Sequence, residues 1–186
     1  MGRSNVGKSS LINALVRQRL ARTSAAAGKT RLANIYRVAR GGGAPLYLVD
    51  LPGYGYARGG REAAAEFEAL TRMCFEGHDA PPAALLLVDA RHPGLDSDRA
   101  AWQWLHASAG YLSIVATKID KLARGERIRA LRELESVFED SVLPVSAVTG
   151  EGLDELWTLI EQLANNNYPP RKPSPLQKRA PPPRRR

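Results

Sequence analysis

The residues with the clearest chemistry open the chain. Gly2-Arg3-Ser4-Asn5-Val6-Gly7-Lys8-Ser9 satisfies the pattern G-x-x-x-x-G-K-[ST] at every fixed position. In such a loop the glycines let backbone N–H groups converge on phosphate oxygens, and the following helix adds positive potential at its N-terminus. Lys8 is placed to neutralise the β- and γ-phosphates of a nucleoside triphosphate, and the Ser9 hydroxyl to ligate Mg²⁺. Taken alone, the pattern also fits a glycine-containing helix entry that matches by chance.

Further segments extend that chemistry. Asp50-Leu51-Pro52-Gly53 follows a short apolar run. An acid at a strand's carboxyl end can reach Mg²⁺ through water, and the Gly53 N–H can meet a γ-phosphate; a surface Asp-x-Pro-Gly turn is the plain alternative. Thr117-Lys118-Ile119-Asp120 ends another apolar run. Asp120 offers two acceptor oxygens at the spacing of guanine N1–H and N2–H₂. Adenine lacks that donor pair and would leave a carboxylate unpaired. Lys118 can lay its stem along the base. In Val145-Ser146-Ala147 the Ala147 N–H can meet guanine O6. Gly28-Lys29-Thr30, with the adjoining Arg31 and Leu32, lies after the first helix. There Thr30 is placed to coordinate Mg²⁺ when a γ-phosphate is present, or is an ordinary loop threonine. Each segment is weak alone; the ordered set is specific.

Elements must hold these segments in place. Hydrophobic patterning predicts helices over about 8–20, 61–76, 124–138 and 151–164. It predicts a half-buried strand over Arg31–Val38, a short buried strand over Leu46–Val49, and further strands over Ala83–Val88, Tyr111–Ala116 and Ser141–Val145. The Ala83–Val88 run is continuously apolar, as expected when both sheet faces are covered. The alternation predicts an α/β, P-loop NTPase three-layer fold: a mostly parallel sheet with helices on both faces. Only Met1 precedes the loop, so the central strand that launches it is expected to be missing. In the usual order 2-3-1-4-5-6 that strand separates those ending at Asp50 and Asp89. A preserved slot would set the two about 9.6 Å apart, twice the usual ~4.8 Å. Unpaired backbone groups there would cost about 1–3 kcal/mol each. The chain as written is therefore expected to be poorly stable and to bind GTP weakly.

Composition bounds the rest. A charged fraction of 25% and a hydrophobic fraction of 44% are those of an ordinary globular domain. The longest apolar run, Pro81–Val88, is strand-sized and far short of the ~18 residues of a membrane span. No secretory signal precedes the loop, and Cys74 is the single cysteine, so a cytoplasmic protein with a packed thiol is expected. The net charge of +8 is concentrated at one end: residues 165–186 hold seven Lys/Arg, no acid and seven of the 13 prolines. Two regions are expected, a GTP-binding domain over 1–164 and a disordered, basic, Pro-rich tail over 165–186 that suits RNA phosphates or simple solubility.

Together the segments resemble a translational-type GTPase, more narrowly the EngB (YihA/YsxC) family within the TrmE-Era-EngA-EngB-septin-like superfamily. The family-specific pieces are residues 2–13, Gly28-Lys29-Thr30, Asp50-Leu51-Pro52-Gly53-Tyr54-Gly55-Tyr56-Ala57 and Asp89-Ala90-Arg91-His92-Pro93. The resemblance implies GTP/GDP as ligand, nucleotide contacts from 2–9, 28–32, 50–53, 117–120 and 145–147, and Mg²⁺ at Ser9 and Thr30. It further implies a monomeric cytoplasmic GTPase acting in large ribosomal subunit assembly and linked to cell division and septation, with the subunit or its rRNA as partner.

The catalytic residue is open. Tyr54 stands where many small GTPases carry a water-orienting Gln, so slow intrinsic hydrolysis is expected. Asn5 suits K⁺ beside the phosphates and suits loop-shaping equally. His92 reads as a loop cap, and Trp102, Trp104 and Trp157 as packing residues. Two other classes compete: a P-loop ATPase or kinase, against which Asp120 speaks, and a truncated fragment without function.

Overall fold

The computed structural model describes residues 1–21, 33–54, 69–75 and 82–165. Helix α1 (Lys8–Val16) follows the loop, and β1 (Asn34–Val38) and β2 (Leu46–Asp50) form a hairpin. Residues 69–75 are helical (α2). Then come β3 (Ala83–Asp89), α3 (Asp96–Ser108), β4 (Tyr111–Thr117), a 3₁₀ turn (Ile119–Lys121), α4 (Arg124–Phe138), β5 (Val142–Pro144) and α5 (Leu153–Ala164). The expected α/β layering is present.

Strand β3 shows why. Ala84, Leu86 and Val88 enter one core with α3 and α4, whereas Leu85 and Leu87 pack on the other face with α1 and α5. A strand with period-two geometry and helices on both faces must be apolar throughout. Strands β3, β4 and β5 are parallel, with Asp89 opposite Thr117 and Ala116 opposite Pro144. That register brings the segments after β3, β4 and β5 to one sheet edge.

The hairpin β1–β2 is a separate, antiparallel sheet. Residues 1–4 lie between the two sheets. Gly2 pairs with Leu87 and Arg3 with Tyr54, both in parallel sense. The Leu87 N–H donates to the Met1 carbonyl at 2.8 Å, and the Ser4 N–H to the Tyr54 carbonyl at 3.1 Å. The loop's lead-in is thus strand-like, placed where the usual order puts a central strand. A side chain at Gly2 would collide with this pairing, since its Cβ would sit 2.7 Å from the Leu87 carbonyl oxygen.

Two element expectations need correction. Helix α1 stops at Val16 rather than near residue 20. Arg17 turns left-handed at φ 52, and the Asn13 carboxamide clamps the Ala21 N–H and carbonyl at 2.7 and 2.8 Å. The Arg17 and Gln18 N–H groups take the Ala14 and Asn13 carbonyls, which closes the helix end. Strand β2 is half-buried, not buried: Leu46 and Leu48 pack inward while Tyr47 and Val49 are exposed. Its second face has no covering helix among the described residues. Trp157 is buried, with Nε1–H donating to the Leu15 carbonyl, and Trp102 and Trp104 pack against the first core. Cys74 is partly buried, and burial pushes its thiol up.

Burial separates residues of one chemical type. Leu86→Ala, at a side chain fully enclosed, is expected to cost about 2–5 kcal/mol. Ile35→Ser, 68% exposed, should stay within about 0.5 kcal/mol. Denaturant midpoints at constant slope measure both; equal losses would contradict the two-faced core.

Candidate functional site

The site lies at the carboxyl edge of β3, β4 and β5 and at the start of α1. Gly7 precedes α1 with φ 107, a left-handed conformation that favours glycine, and its carbonyl accepts from the Leu11 N–H. Lys8 therefore begins the helix with its ammonium curled back, 3.3 Å from the Gly2 carbonyl oxygen. Burial pushes the Lys8 ammonium down and the Asp50 carboxyl up, and each is opposed by the other's charge. Lys8 and Asp50 thus face one another, and no hydrogen bond from a described residue reaches the Asp50 carboxylate. A buried acid left this way and the hydroxyl of Ser9, next in the chain to Lys8, are oxygen donors of the kind hydrated Mg²⁺ takes. Leu51 is buried below, with Pro52 and Gly53 leading to Tyr54.

The far side of the loop is tied to β3 and β4. The buried Thr117 hydroxyl lies 2.7 Å from the Val6 carbonyl oxygen and 3.0 Å from that of Val88. Lys118, at φ 61, donates from Nζ to the Asn5 carbonyl at 2.6 Å and to Asp89 Oδ2 at 2.9 Å. Asp89 is 2% exposed and also takes a forked contact from Arg91 at 2.9 and 2.8 Å. Burial alone would push its carboxyl up, but the Arg91 and Lys118 hydrogen bonds hold it far below the usual carboxylate range. The stem of Lys118 passes over Gly7, which leaves an apolar shelf for a flat ring.

Ile119 is buried and Val145 donates its N–H to the Ala116 carbonyl, so both position their neighbours. The wholly buried Ser146 donates from Oγ to Asp120 Oδ1 at 2.7 Å and accepts from the N–H groups of Val148 and Thr149. That hydrogen bond, first of all, lowers the Asp120 carboxyl. The Ala147 N–H bonds to no described residue. An ionised carboxylate thus sits beside a free N–H and the Lys118 stem, matching the donor and acceptor edge of guanine.

Tyr54 points away from this centre. Its hydroxyl donates to the buried Asp98 carboxylate of α3 at 3.0 Å, and burial and that acid push its ionisation up. Burial raises the Asp98 carboxyl, opposed by the Tyr54 hydrogen bond and the Arg3 charge. Asn5 adopts φ 62, with an exposed side chain. The His92 N–H closes a turn onto the Asp89 carbonyl. Gly28, Lys29, Thr30, Arg31 and Leu32 lie outside the described residues. The sequence reading assigned no role to Asp89 or Asp98. Asp89 carried the same signal as Asp50 and Asp120, an acid ending an apolar strand; Asp98 carried none.

A family model described as "50S ribosome-binding GTPase" matches residues 1–118. A probable GTP-binding protein EngB of Thermotoga maritima is 41% identical over 171 residues, 90% of this chain and 86% of that protein. One from Lacticaseibacillus casei is 38% identical over 169 residues, 88% of this chain and 83% of that protein. Era bound to MgGDPNP and a segment of 16S ribosomal RNA superposes with a TM-score of 0.75 at 23% identity, covering 93% of this chain and 56% of Era. A probable GTP-binding protein EngB superposes at 0.67 and 22% identity, covering 89% and 96%. At those identities the two structures speak to the fold.

The Asp89 network predicts a pH dependence. Its carboxyl binds a proton less readily folded than unfolded. Its contribution is therefore present above the ordinary value of 3.8 and is lost as the pH falls below it. Asp89→Asn should lower stability at neutral pH and flatten that acid limb. Superimposable stability-against-pH curves for the two proteins would mean the network contributes nothing.

Proposed function

The chain belongs to the EngB family of GTP-binding proteins, a family of GTPases, and we propose that it is a slow GTP switch acting in assembly of the large ribosomal subunit. Asp120, held by Ser146 beside the free Ala147 N–H, is the observation that carries the guanine assignment. The proposed nucleotide contacts are residues 2–9 for the phosphates, 28–32 and 50–53 for the γ-phosphate, and 117–120 with 145–147 for the base. Within these, Thr117, Ile119, Val145 and Ser146 act by positioning, whereas Lys8, Lys118, Asp120 and Ala147 face the ligand.

Ser9 and Thr30 would hold Mg²⁺, with Asp50 acting through water; the ion supplies charge neutralisation at the β- and γ-phosphates. Around it, Lys8 binds the same oxygens and the loop N–H groups orient them. The Tyr54 hydroxyl is committed to Asp98, which supports slow intrinsic hydrolysis with no water-orienting side chain at that position. Asn5, exposed beside the loop, is the proposed K⁺ ligand. The ribosomal role is supported by the description of the matching family model; a link to cell division goes with the same resemblance. Among the described residues no helix is long and apolar enough to cross a membrane; a cytoplasmic monomer is part of the proposal. The proposed GTP-binding domain runs to Ala164; beyond it the basic tail, largely outside the described residues, would add attraction to rRNA.

A nucleotide competition assay tests the central assignment. Lys8→Ala should abolish tight GTP binding, and Asp120→Asn should lower GTP affinity while xanthosine nucleotides gain. Equal binding of ATP and GTP by the parent protein would sink the guanine assignment.

Hydrolysis tests the rest. Tyr54→Phe should change the intrinsic rate little; a loss beyond about 100-fold, the scale of general-base catalysis, would make Tyr54 catalytic. Asn5→Ala should remove K⁺ stimulation, and identical parent rates in Na⁺ and K⁺ would refute the K⁺ site.

A further inference from the structure

Helix α1 meets the phosphates at one end and borders a second concavity at the other. This cleft, of about 610 Å³, lies between the last turn of α1, the β1–β2 connection and the start of α5. None of the proposed nucleotide contacts lines it, and the length of α1 sets its Arg17 rim about 14 Å from Lys8.

Its charge is one-sided. Arg17, Arg37 and Arg40 line it against a single acid, Asp154. Arg40 already pairs with that acid at 2.6 Å. The guanidinium groups of Arg17 and Arg37 have no hydrogen-bonding or ionic partner among the described residues, so both stand free at the rim. The floor between them is apolar: Leu15, Val38 and Trp157 are each under a tenth exposed, and Leu20, 47% exposed, extends it outward.

Free guanidinium forks above an apolar floor recognise an anion that carries a flat, weakly polar body. An arginine fork matches two oxygens of a phosphate, and an unpaired base can lie on an apolar surface. The volume falls within the roughly 300–1,000 Å³ of pockets that enclose small ligands. A duplex would offer phosphates but no free base face. An acidic peptide would satisfy the arginines but has less use for a recessed floor.

We propose that this cleft docks an unpaired stretch of ribosomal RNA, with phosphates at Arg17 and Arg37 and a base against Leu15 and Val38. The proposal rests on the ribosomal reading above and adds the surface that makes the contact.

The test uses the full chain loaded with GTP, with Arg17→Glu/Arg37→Glu and the milder Arg17→Gln/Arg37→Gln as variants. GTP affinity and the thermal midpoint should be unchanged in at least the Gln pair, which shows that the fold is intact. The probe is a short labelled single-stranded oligoribonucleotide, compared with its duplex and with polyglutamate as competitor. The variants should bind the single strand at least ~10-fold more weakly at low salt. The slope of log affinity against log salt should fall by about 1.4, two phosphates at ~0.7 each. Unchanged affinity and slope, or tighter binding of duplex than of single strand, would overturn the proposal. Displacement of the RNA by polyglutamate at equal charge would overturn it in favour of an acidic protein partner. Sedimentation with large ribosomal subunits separates the two readings. If the parent co-sediments and the variants do so equally, the cleft is wrong and the ribosomal role stands; if the parent does not co-sediment, the ribosomal role itself fails.

Discussion

A buried carboxylate that has to be neutralised organises this structure. Asp89 ends β3 with almost no solvent contact, and an uncompensated charge there would be untenable. Arg91 and Lys118 compensate it, both reaching Oδ2. Lys118 does so while its ammonium also grips the Asn5 carbonyl. One charge requirement therefore connects β3, the end of β4 and the phosphate loop. The Thr117 hydroxyl, between the Val6 and Val88 carbonyls, repeats the connection without charge. The proposed base-facing and phosphate-facing halves of the site are thereby tied together.

The same economy explains why several motif residues do not face a ligand. Ser146 is fully buried, and its hydroxyl joins the Asp120 carboxylate to two backbone N–H groups of its own turn. It lowers the Asp120 carboxyl and fixes its aim, whereas an exposed carboxylate on a free loop would have no fixed direction. Tyr54 does comparable work on the other side. Its carbonyl meets the Ser4 N–H and its hydroxyl meets Asp98, so the segment after Asp50 is anchored to the loop and to α3 at once.

Packing is uneven across the fold. Strands β3 and β4 are enclosed by helices on both faces, whereas the β1–β2 hairpin leaves Ile35, Tyr47 and Val49 open. The central strands can therefore hold buried charges in place, and the hairpin side offers the free surface and the arginine-rimmed cleft. The proposed base contacts lie on the enclosed side, where groups are preorganised.

The sequence by itself determined the chemistry and the layering. The loop pattern, the Asp120 tetrapeptide and Ser146-Ala147 were legible because they are contiguous, and because backbone geometry makes specific demands at Gly7. The continuous apolar run of β3 was legible because two covered faces leave no polar position. The tertiary structure alone decided what connects distant residues. Sequence spacing does not show that Lys118 meets Asp89 and Asn5, that Ser146 holds Asp120, or that Tyr54 turns to Asp98; the sheet register and the helix packing bring those groups together. It also decided where α1 ends and which face of β2 is bare. A helix end follows from the left-handed turn at Arg17 and burial from what lies opposite, and a linear pattern contains neither.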